Sequence, residues 1–526
     1  MKIRTIFVGA LVLAAFSGHA DSDWAELNAS ARRRALSPVR LGVPGVSPFW
    51  NESSKAFIHP PAFEFKAVAG AVRYRYTLTP EAKSAKAYSW EAAEPWKAMD
   101  SAVWDALVPG FYTVKVHGID AAGSSLGLAG TRRFWRAAVF SGPYPQAART
   151  CRDAARRVYA AIYRLPYVQA WLDSKEPPAG YDLYCYPAKM LSSMIDALCR
   201  HSNLADDPAE RTRAIDIACR MADWMISQSQ SEGTALAHFP PTYWGDRRDI
   251  SVKNAGLNML RYPSDAAMAY FNLADALERA GKTDCAKRYR SEGFAIVSTY
   301  VRLQEKDGTW PLKVRESDGK PTKDNRLVPE RHIFVMFDRA IELKGDGKDL
   351  TVKALEKARA AAFGFLERGP FVTWNWDGQF EDMDPMPPYK NLQKGAAIDA
   401  AAELFKLGRN ELALEIVNWC EDQFTVWSDP YPHMDWKNWK TPTALEQYDY
   451  YTPIDASMAD MVRGFMMAYK ATGDRLYKAK ALALANCIVR YQRDDGTIPT
   501  YFDSRRGSDW ANCMIYVATV LETVEE

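Results

Sequence analysis

The sequence predicts a mainly α chain. An (α/α)6-type toroid of helical hairpins, residues 144–526, follows a small β-sandwich module, residues 43–140. Three observations carry this. The hydrophobic period is two up to about Phe140 and helical from about Tyr144 onward. Successive helical segments share very short joints, which force antiparallel neighbours. Long aromatic loops separate one hairpin from the next, so the loops should gather at one mouth.

Residues 1–20 read as a secretory signal peptide. Lys2 and Arg4 give a positive start, Ile6 to Phe16 a short apolar run, and Gly18-His19-Ala20 a small-residue cleavage site. The run is too short to span a bilayer, and no later segment is apolar enough. A periplasmic or secreted protein is expected. Residues 21–42 form a connector with the solvated basic cluster Arg32-Arg33-Arg34. The formal net charge of +2 argues against a nucleic-acid partner. Eight cysteines occur without CxxC or zinc-like spacing, and buried free thiols are favoured over bridges. There is no EF-hand spacing, and no metal or cofactor is expected.

In the β module, Ala62-Phe63-Glu64-Phe65, Val72 to Leu78 and Phe111 to His117 alternate in period two, and Gly130 to Phe140 gives a last strand. The strand rhythm resembles a fibronectin type III-like or immunoglobulin-like sandwich. His59 and His117 are expected to be structural. Twelve helical segments follow: 145–164, 184–201, 207–230, 263–281, 283–304, 328–344, 349–367, 392–407, 408–426, 454–472, 474–492 and 508–524. An internal echo supports their pairing. Gln304-Glu305-Lys306-Asp307-Gly308-Thr309-Trp310-Pro311 matches Gln492-Arg493-Asp494-Asp495-Gly496-Thr497-Ile498-Pro499, with a looser copy at Gln230 to Thr234.

The candidate chemistry lies in the long loops. Trp374 to Asn391 holds two tryptophans, Gln379 and the acids Asp377, Glu381, Asp382 and Asp384. Such a loop greatly exceeds the usual connector of about 4–6 residues. A second loop carries His238, Tyr243 and Trp244, a third Glu330, Arg331 and His332, and a fourth His433, Trp436, Glu446, Tyr448, Tyr450 and Tyr451. Two chemistries fit. β-Elimination on a uronate polymer needs a base, an acid and charge neutralisation, from His238, Tyr243, Arg331, His332 and Tyr448. Glycoside hydrolysis needs two carboxyl groups, from Asp377, Glu381, Asp382, Glu446 and Asp455. Trp244, Trp374, Trp376, Asp377, Gln379, Glu381, Asn391, His433, Trp436 and Tyr450 are the candidates for substrate binding. Each has a plainer alternative. Asp455 sits where a helix start favours negative charge, Asp382 and Asp384 can simply solvate their loop or bind calcium without an EF-hand spacing, and the tryptophans can be core.

With these motifs in place, residues 144–526 resemble exported carbohydrate-active enzymes of the (α/α) toroid type: polysaccharide lyases acting on alginate or glucuronan, and six-hairpin glycosidases such as unsaturated glucuronyl hydrolases. The likeness rests on the hairpin rhythm, the Asp-Gly-Thr-x-Pro echoes, the loop Trp376 to Asp382, and the segments Glu446-Gln447-Tyr448 and Pro453-Ile454-Asp455. It implies a polysaccharide or oligosaccharide substrate of anionic character. A polysaccharide lyase acting by β-elimination leads. A six-hairpin glycoside hydrolase and a non-catalytic carbohydrate-binding protein are the alternatives.

Overall fold

The computed structural model describes residues 23–82, 86–344, 350–383, 386–432, 440–502 and 509–524; residues 1–20, Asp384, His433 and Trp436 lie outside the described residues. In chain order the elements begin with α1 (residues 23–34), β1 (Ala56–Phe57), β2 (Arg73–Pro80), β3 (Tyr88–Ala92), α2 (Ser101–Ala106), β4 (Gly110–Ile119) and β5 (Ser125–Arg136). The helices α3 (Cys151–Arg164), α4 (Pro166–Gln169), α5 (Pro187–Leu204), α6 (Pro208–Gln228) and α7 (Asp249–Lys253) follow. Then come β6 (Leu257–Met259), α8 (Pro263–Arg279), α9 (Thr283–Leu303), β7 (Lys313–Arg315), α10 (Arg331–Glu342), α11 (Val352–Arg368) and α12 (Pro370–Thr373). Last are α13 (Gly395–Lys406), α14 (Asn410–Phe424), β8 (Thr425–Val426), β9 (Thr443–Gln447), β10 (Tyr450–Pro453), α15 (Asp455–Thr472), α16 (Arg475–Tyr491) and α17 (Ala511–Leu521).

The chain divides into two compact units. One comprises residues up to Ala147 with Ala401–Thr452 and Met461–Cys487; the other comprises Ala148–Ala400, Pro453–Asp460 and Ile488–Glu526.

The first unit contains a five-stranded sheet in the order β1-β5-β4-β2-β3, and a separate three-stranded sheet has the order β10-β9-β8. β1 runs parallel to β5 and the other pairs are antiparallel. The expected sandwich is not what these strands form: β1 to β5, all the described strands of residues 43–140, lie in one sheet. Residues 62–65 alternate in sequence but form no strand. Their phenylalanines pack instead: Phe63 on Phe57 and Phe134, and Phe65 against Gly130, where no larger residue leaves room for the ring. The apolar face of the sheet, with Tyr76, Leu78, Val114, Val116 and Phe134, is buried. Trp104 of α2 stacks on Phe134, and its indole N–H donates to Ile58 O at 3.0 Å. Further along the chain, α14 ends in three buried polar residues. Glu421 takes a proton donor from Lys480 (2.5 Å), Asp422 accepts the backbone N–H groups of Ile58 and His59, and Gln423 accepts from Tyr448 (2.6 Å).

The second unit is built on helical hairpins, and each of the twelve expected helical segments of the chain contains a helix. Prolines open α5, α6 and α8, where their missing N–H costs nothing. Thr150, Asp207 and Thr351 cap α3, α6 and α11. Gly281, at φ 73°, turns α8 into α9. The pairs α5–α6, α8–α9 and α10–α11 pack together, and α5 also lies against α8, and α8 against α10. A short joint sends the second helix of each pair back, so α5, α8 and α10 begin at the same end. Lys189 and Tyr262, at the starts of α5 and α8, bind one carboxylate and show this directly.

The sequence echo is a structural repeat. Gln304 donates to Gly308 O and to Ala358 O of α11, both at 2.8 Å. Gln492 donates to Gly496 O and to Ala154 O of α3, at 2.9 and 2.8 Å. Gly308 and Gly496 share φ 94°, and each presses on the backbone of the neighbouring helix, at Ala361 and Arg157. The turn that ends one hairpin thus pins the next. All eight cysteines are free thiols.

Candidate active site

The loop 374–394 is tied down at several points. Its stems pair: Gly378 N–H donates to Asn391 O and Gln393 N–H to Trp376 O, both at 3.0 Å. Trp374 takes the left-handed conformation (φ 60°) and ends α12. That turn and the paired stem drive both indoles inward. Trp374 and Trp376 are fully buried, with Trp376 6.0 Å from Phe371, so they are core and not platforms for a sugar. Asn391 is buried and donates to Gly378 O, and Gln379 links Val328 N–H to Arg326 O. These two also hold the loop and are not free to bind. Asp377 accepts the Tyr389 N–H at 3.1 Å, and burial pushes its carboxyl up to about 6.

The tip of the loop holds two adjacent carboxyl groups, Glu381 and Asp382. Glu381 is 2% exposed. Lys189 Nζ donates to its Oε1 at 2.5 Å, and the Tyr262 hydroxyl donates to its Oε2. Tyr243 donates to its backbone O at 3.0 Å, and Arg261 donates to Gln379 O at 2.6 Å. Burial alone would raise the Glu381 carboxyl, but the Lys189 charge and the two hydrogen bonds prevail and hold it below the usual range. Asp382, its neighbour, is exposed. The surrounding protein and the Glu381 charge raise its carboxyl. Adjacent carboxyls are therefore pushed in opposite directions, as an acid/base assignment requires.

Cations and aromatics border this pair. Lys189 Nζ lies 4.4 Å from the centre of the Trp510 ring, and the Arg248 guanidinium lies 5.7 Å from it. Trp510 is half-buried and stacks on the buried Tyr186 at 5.8 Å. Arg261 pairs with the buried Glu330 at 2.6 Å, just before α10. His332, the second residue of α10, meets Asp265 of α8 through Nδ1 at 2.5 Å. The Arg331 backbone N–H donates to Asp399 Oδ2 at 2.7 Å. Arg331, His332, Tyr243, Glu381 and Gln379 thus fall in one linked neighbourhood.

Other candidates are placed elsewhere. His238 has a left-handed backbone and meets Glu292 of α9 at 3.2 Å. Trp244 is half-buried, edge-on to Trp224 at 5.1 Å. Glu446, Tyr448 and Tyr450 belong to the first unit, on β9, at the turn and on β10. Tyr448 is 1% exposed, and its hydroxyl donates to Gln423; burial holds the phenol far above its usual pKa. It is a core residue. Tyr243 is likewise buried, with its hydroxyl engaged. Neither tyrosine is free to exchange a proton with a substrate. The groups that sequence reasoning passed over are Lys189, Arg248, Arg261, Tyr262, Asp265 and Trp510. Five of them, all but Arg261, lie in the first turn of a helix or immediately precede one, where no local motif marks them.

No family model matches the chain, and no curated protein matches it. Among solved structures it is similar to a family 76 glycoside hydrolase from a bovine Bacteroides thetaiotaomicron strain, at 11% identity over 87% of this chain and 93% of that one, with a TM-score of 0.44. It is similar to a D-mannose isomerase at 14% identity, 70% and 97% coverage and a TM-score of 0.47. It is also similar to an unsaturated glucuronyl hydrolase from Streptococcus agalactiae, at 11% identity, 72% and 97% coverage and a TM-score of 0.41. All three are sugar-processing enzymes by name. Superpositions this loose assign neither closure of the fold nor reaction, so the chemistry rests on the residues above.

Proposed function

We propose that the protein is a carbohydrate-active enzyme that cleaves a glycosidic bond, with Asp382 as its acid. The carrying observation is the contrast within one loop: Glu381 is buried and locked between Lys189 and Tyr262, while Asp382 beside it is exposed. Glu381 keeps its charge, and that charge helps Asp382 keep a proton. Asp382 gives this proton to the glycosidic oxygen as the bond to the anomeric carbon breaks. Water then supplies the new hydroxyl. Hydrolysis is preferred to β-elimination because the two tyrosines suited to elimination, Tyr243 and Tyr448, are buried with their hydroxyls engaged.

Arg248 and Lys189 flank Trp510 beside this acid, which suits a saccharide bearing a carboxylate or sulfate. The hairpins are proposed to close as an (α/α) toroid, with export directed by residues 1–20. Among the described residues, no helix is long and apolar enough to cross a membrane.

β-Elimination is the second reading. It is favoured by the His332–Asp265 pair beside Arg331, a base next to a cation. One assay separates the two. A panel of neutral and anionic glycans is incubated with the protein and with D382N, following reducing ends and ultraviolet-absorbing unsaturation. Hydrolysis predicts reducing ends without unsaturation, and a loss of about 10²–10⁴-fold in kcat for D382N. Unsaturated products would replace hydrolysis by elimination. Binding with no product would leave a carbohydrate-binding protein.

A further inference from the structure

Asp382 donates one proton, and a cleavage that adds water also needs a group to take one. His332 and Asp265 have the geometry for that task. Asp265 lies in the first turn of α8, where its backbone N–H donates to Tyr262 O at 2.9 Å and where negative charge is favoured. Its side chain is 15% exposed, and Oδ1 lies 2.5 Å from His332 Nδ1. A carboxylate can only accept, so Nδ1 carries the hydrogen and donates it. That fixes the tautomer and leaves Nε2 as the basic nitrogen. The His332 side chain keeps 37% of its surface open.

Position supports the pairing with Asp382. Tyr262, which holds Glu381, precedes Asp265 by three residues, about 5 Å along the helix axis. The start of α8 thus carries both the clamp on the acid's neighbour and the partner of the histidine. The charged groups around His332 are Asp265 and Arg261 from the α8 side, and Glu330 and Arg331 at the start of its own helix. Burial lowers the His332 pKa most, and Arg331 and Arg261 lower it further. The Asp265 charge and hydrogen bond outweigh all three, and the net pKa lies above the ordinary value.

We propose that Asp265 is a positioning residue that fixes His332, and that His332 Nε2 accepts the proton of the attacking water. The step balances. As the water oxygen bonds to the anomeric carbon, its proton passes to Nε2, and the leaving oxygen takes the proton of Asp382. Solvent afterwards returns a proton from His332 to Asp382, and the net change is one water added. This rests on the hydrolytic proposal above.

Two measurements on the full chain test it. The first needs no substrate: His332 is titrated by NMR in the wild type and in D265N. The expected wild-type pKa lies above about 6.5, the ordinary histidine value, and falls in D265N. A wild-type value at or below that figure, or one that D265N leaves in place, overturns the positioning role. The second uses a cleaved glycan. D265N should lower kcat by about 10²-fold, leave KM nearly unchanged and move the acidic limb of the pH profile downward. D265E should restore part of the loss. H332A with wild-type turnover, or D265N with only a lower Tm, overturns the proposal. If no glycan is cleaved, the hydrolytic proposal fails and the proton-acceptor role fails with it, while the NMR titration still decides the positioning role.

Discussion

Glu381 ties the site to the fold one hydrogen bond at a time. Its carboxylate joins the start of α5 to the start of α8, and its carbonyl receives Tyr243. Replacing it by glutamine removes the carboxylate bound to Lys189, whose side chain is only 14% exposed, a loss of about 3 kcal/mol in chemical denaturation. The pH dependence has a definite sign. The folded pKa of Glu381 is depressed, so its contribution is present above the unfolded value of about 4.3 and is lost as pH falls through the folded value. Below about pH 4 the wild type should therefore lose stability more steeply than E381Q, as acid denaturation would show. For Asp382 the shift is upward, so the protonated acid persists to higher pH than an ordinary aspartate allows. Activity should fall as pH rises through that value, and D382N should abolish this limb without lowering Tm. At this scale the sequence singled out the loop that carries Glu381 and Asp382, and His332, and the structure links both to the start of α8. It also favoured Trp374 and Trp376, because aromatic residues among acids look like a sugar platform. A left-handed residue and a paired stem turn both rings inward, and neither feature is visible in composition. Tyr448, at the turn between β9 and β10, is likewise turned into the core, whereas Tyr450 at the start of β10 is exposed. Lys189 and Asp265 escaped notice because their partners lie 192 and 67 positions away in the chain.

Individual elements were more legible than the contacts between them. The helical period and the short joints marked the helical segments, and prolines at the starts of α5, α6 and α8 fit them. The Gln-x-x-Asp-Gly-Thr echo proved to be a shared device, a turn whose glycine meets a neighbouring helix, α11 or α3. A Cβ at Gly308 would lie 2.0 Å from Ala361 O, and at Gly496 2.6 Å from Arg157 O, both at positive φ. G308A and G496A should each cost about 2 kcal/mol or more, read as a lower denaturation midpoint, with G308A the more severe. An alanine at Gly233, which also has positive φ but open space around it, should cost less. The sheet shows the limit of periodicity. Strands β2 and β4 follow from alternation, but residues 62–65 alternate because two phenylalanines pack on one face, without a strand partner.

At the scale of the whole molecule, the change of hydrophobic period identified a mainly helical chain and the cysteine pattern favoured free thiols, and the hairpins of the second unit place several helix starts around one loop. The N-terminal residues, read as a linear module, instead share a compact unit with part of the later helical sequence. That grouping is set by contacts such as Asp422 with Ile58 and His59, which no local pattern encodes. The central claim, that the Glu381–Asp382 loop hydrolyses a glycosidic bond, concerns where the new oxygen comes from. The most direct measurement is mass spectrometry of products formed from an anionic glycan in heavy-oxygen water. Hydrolysis predicts one heavy oxygen in each new product pair and no unsaturated sugar, with the label lost in D382N. Products without label but with a new double bond would contradict the account.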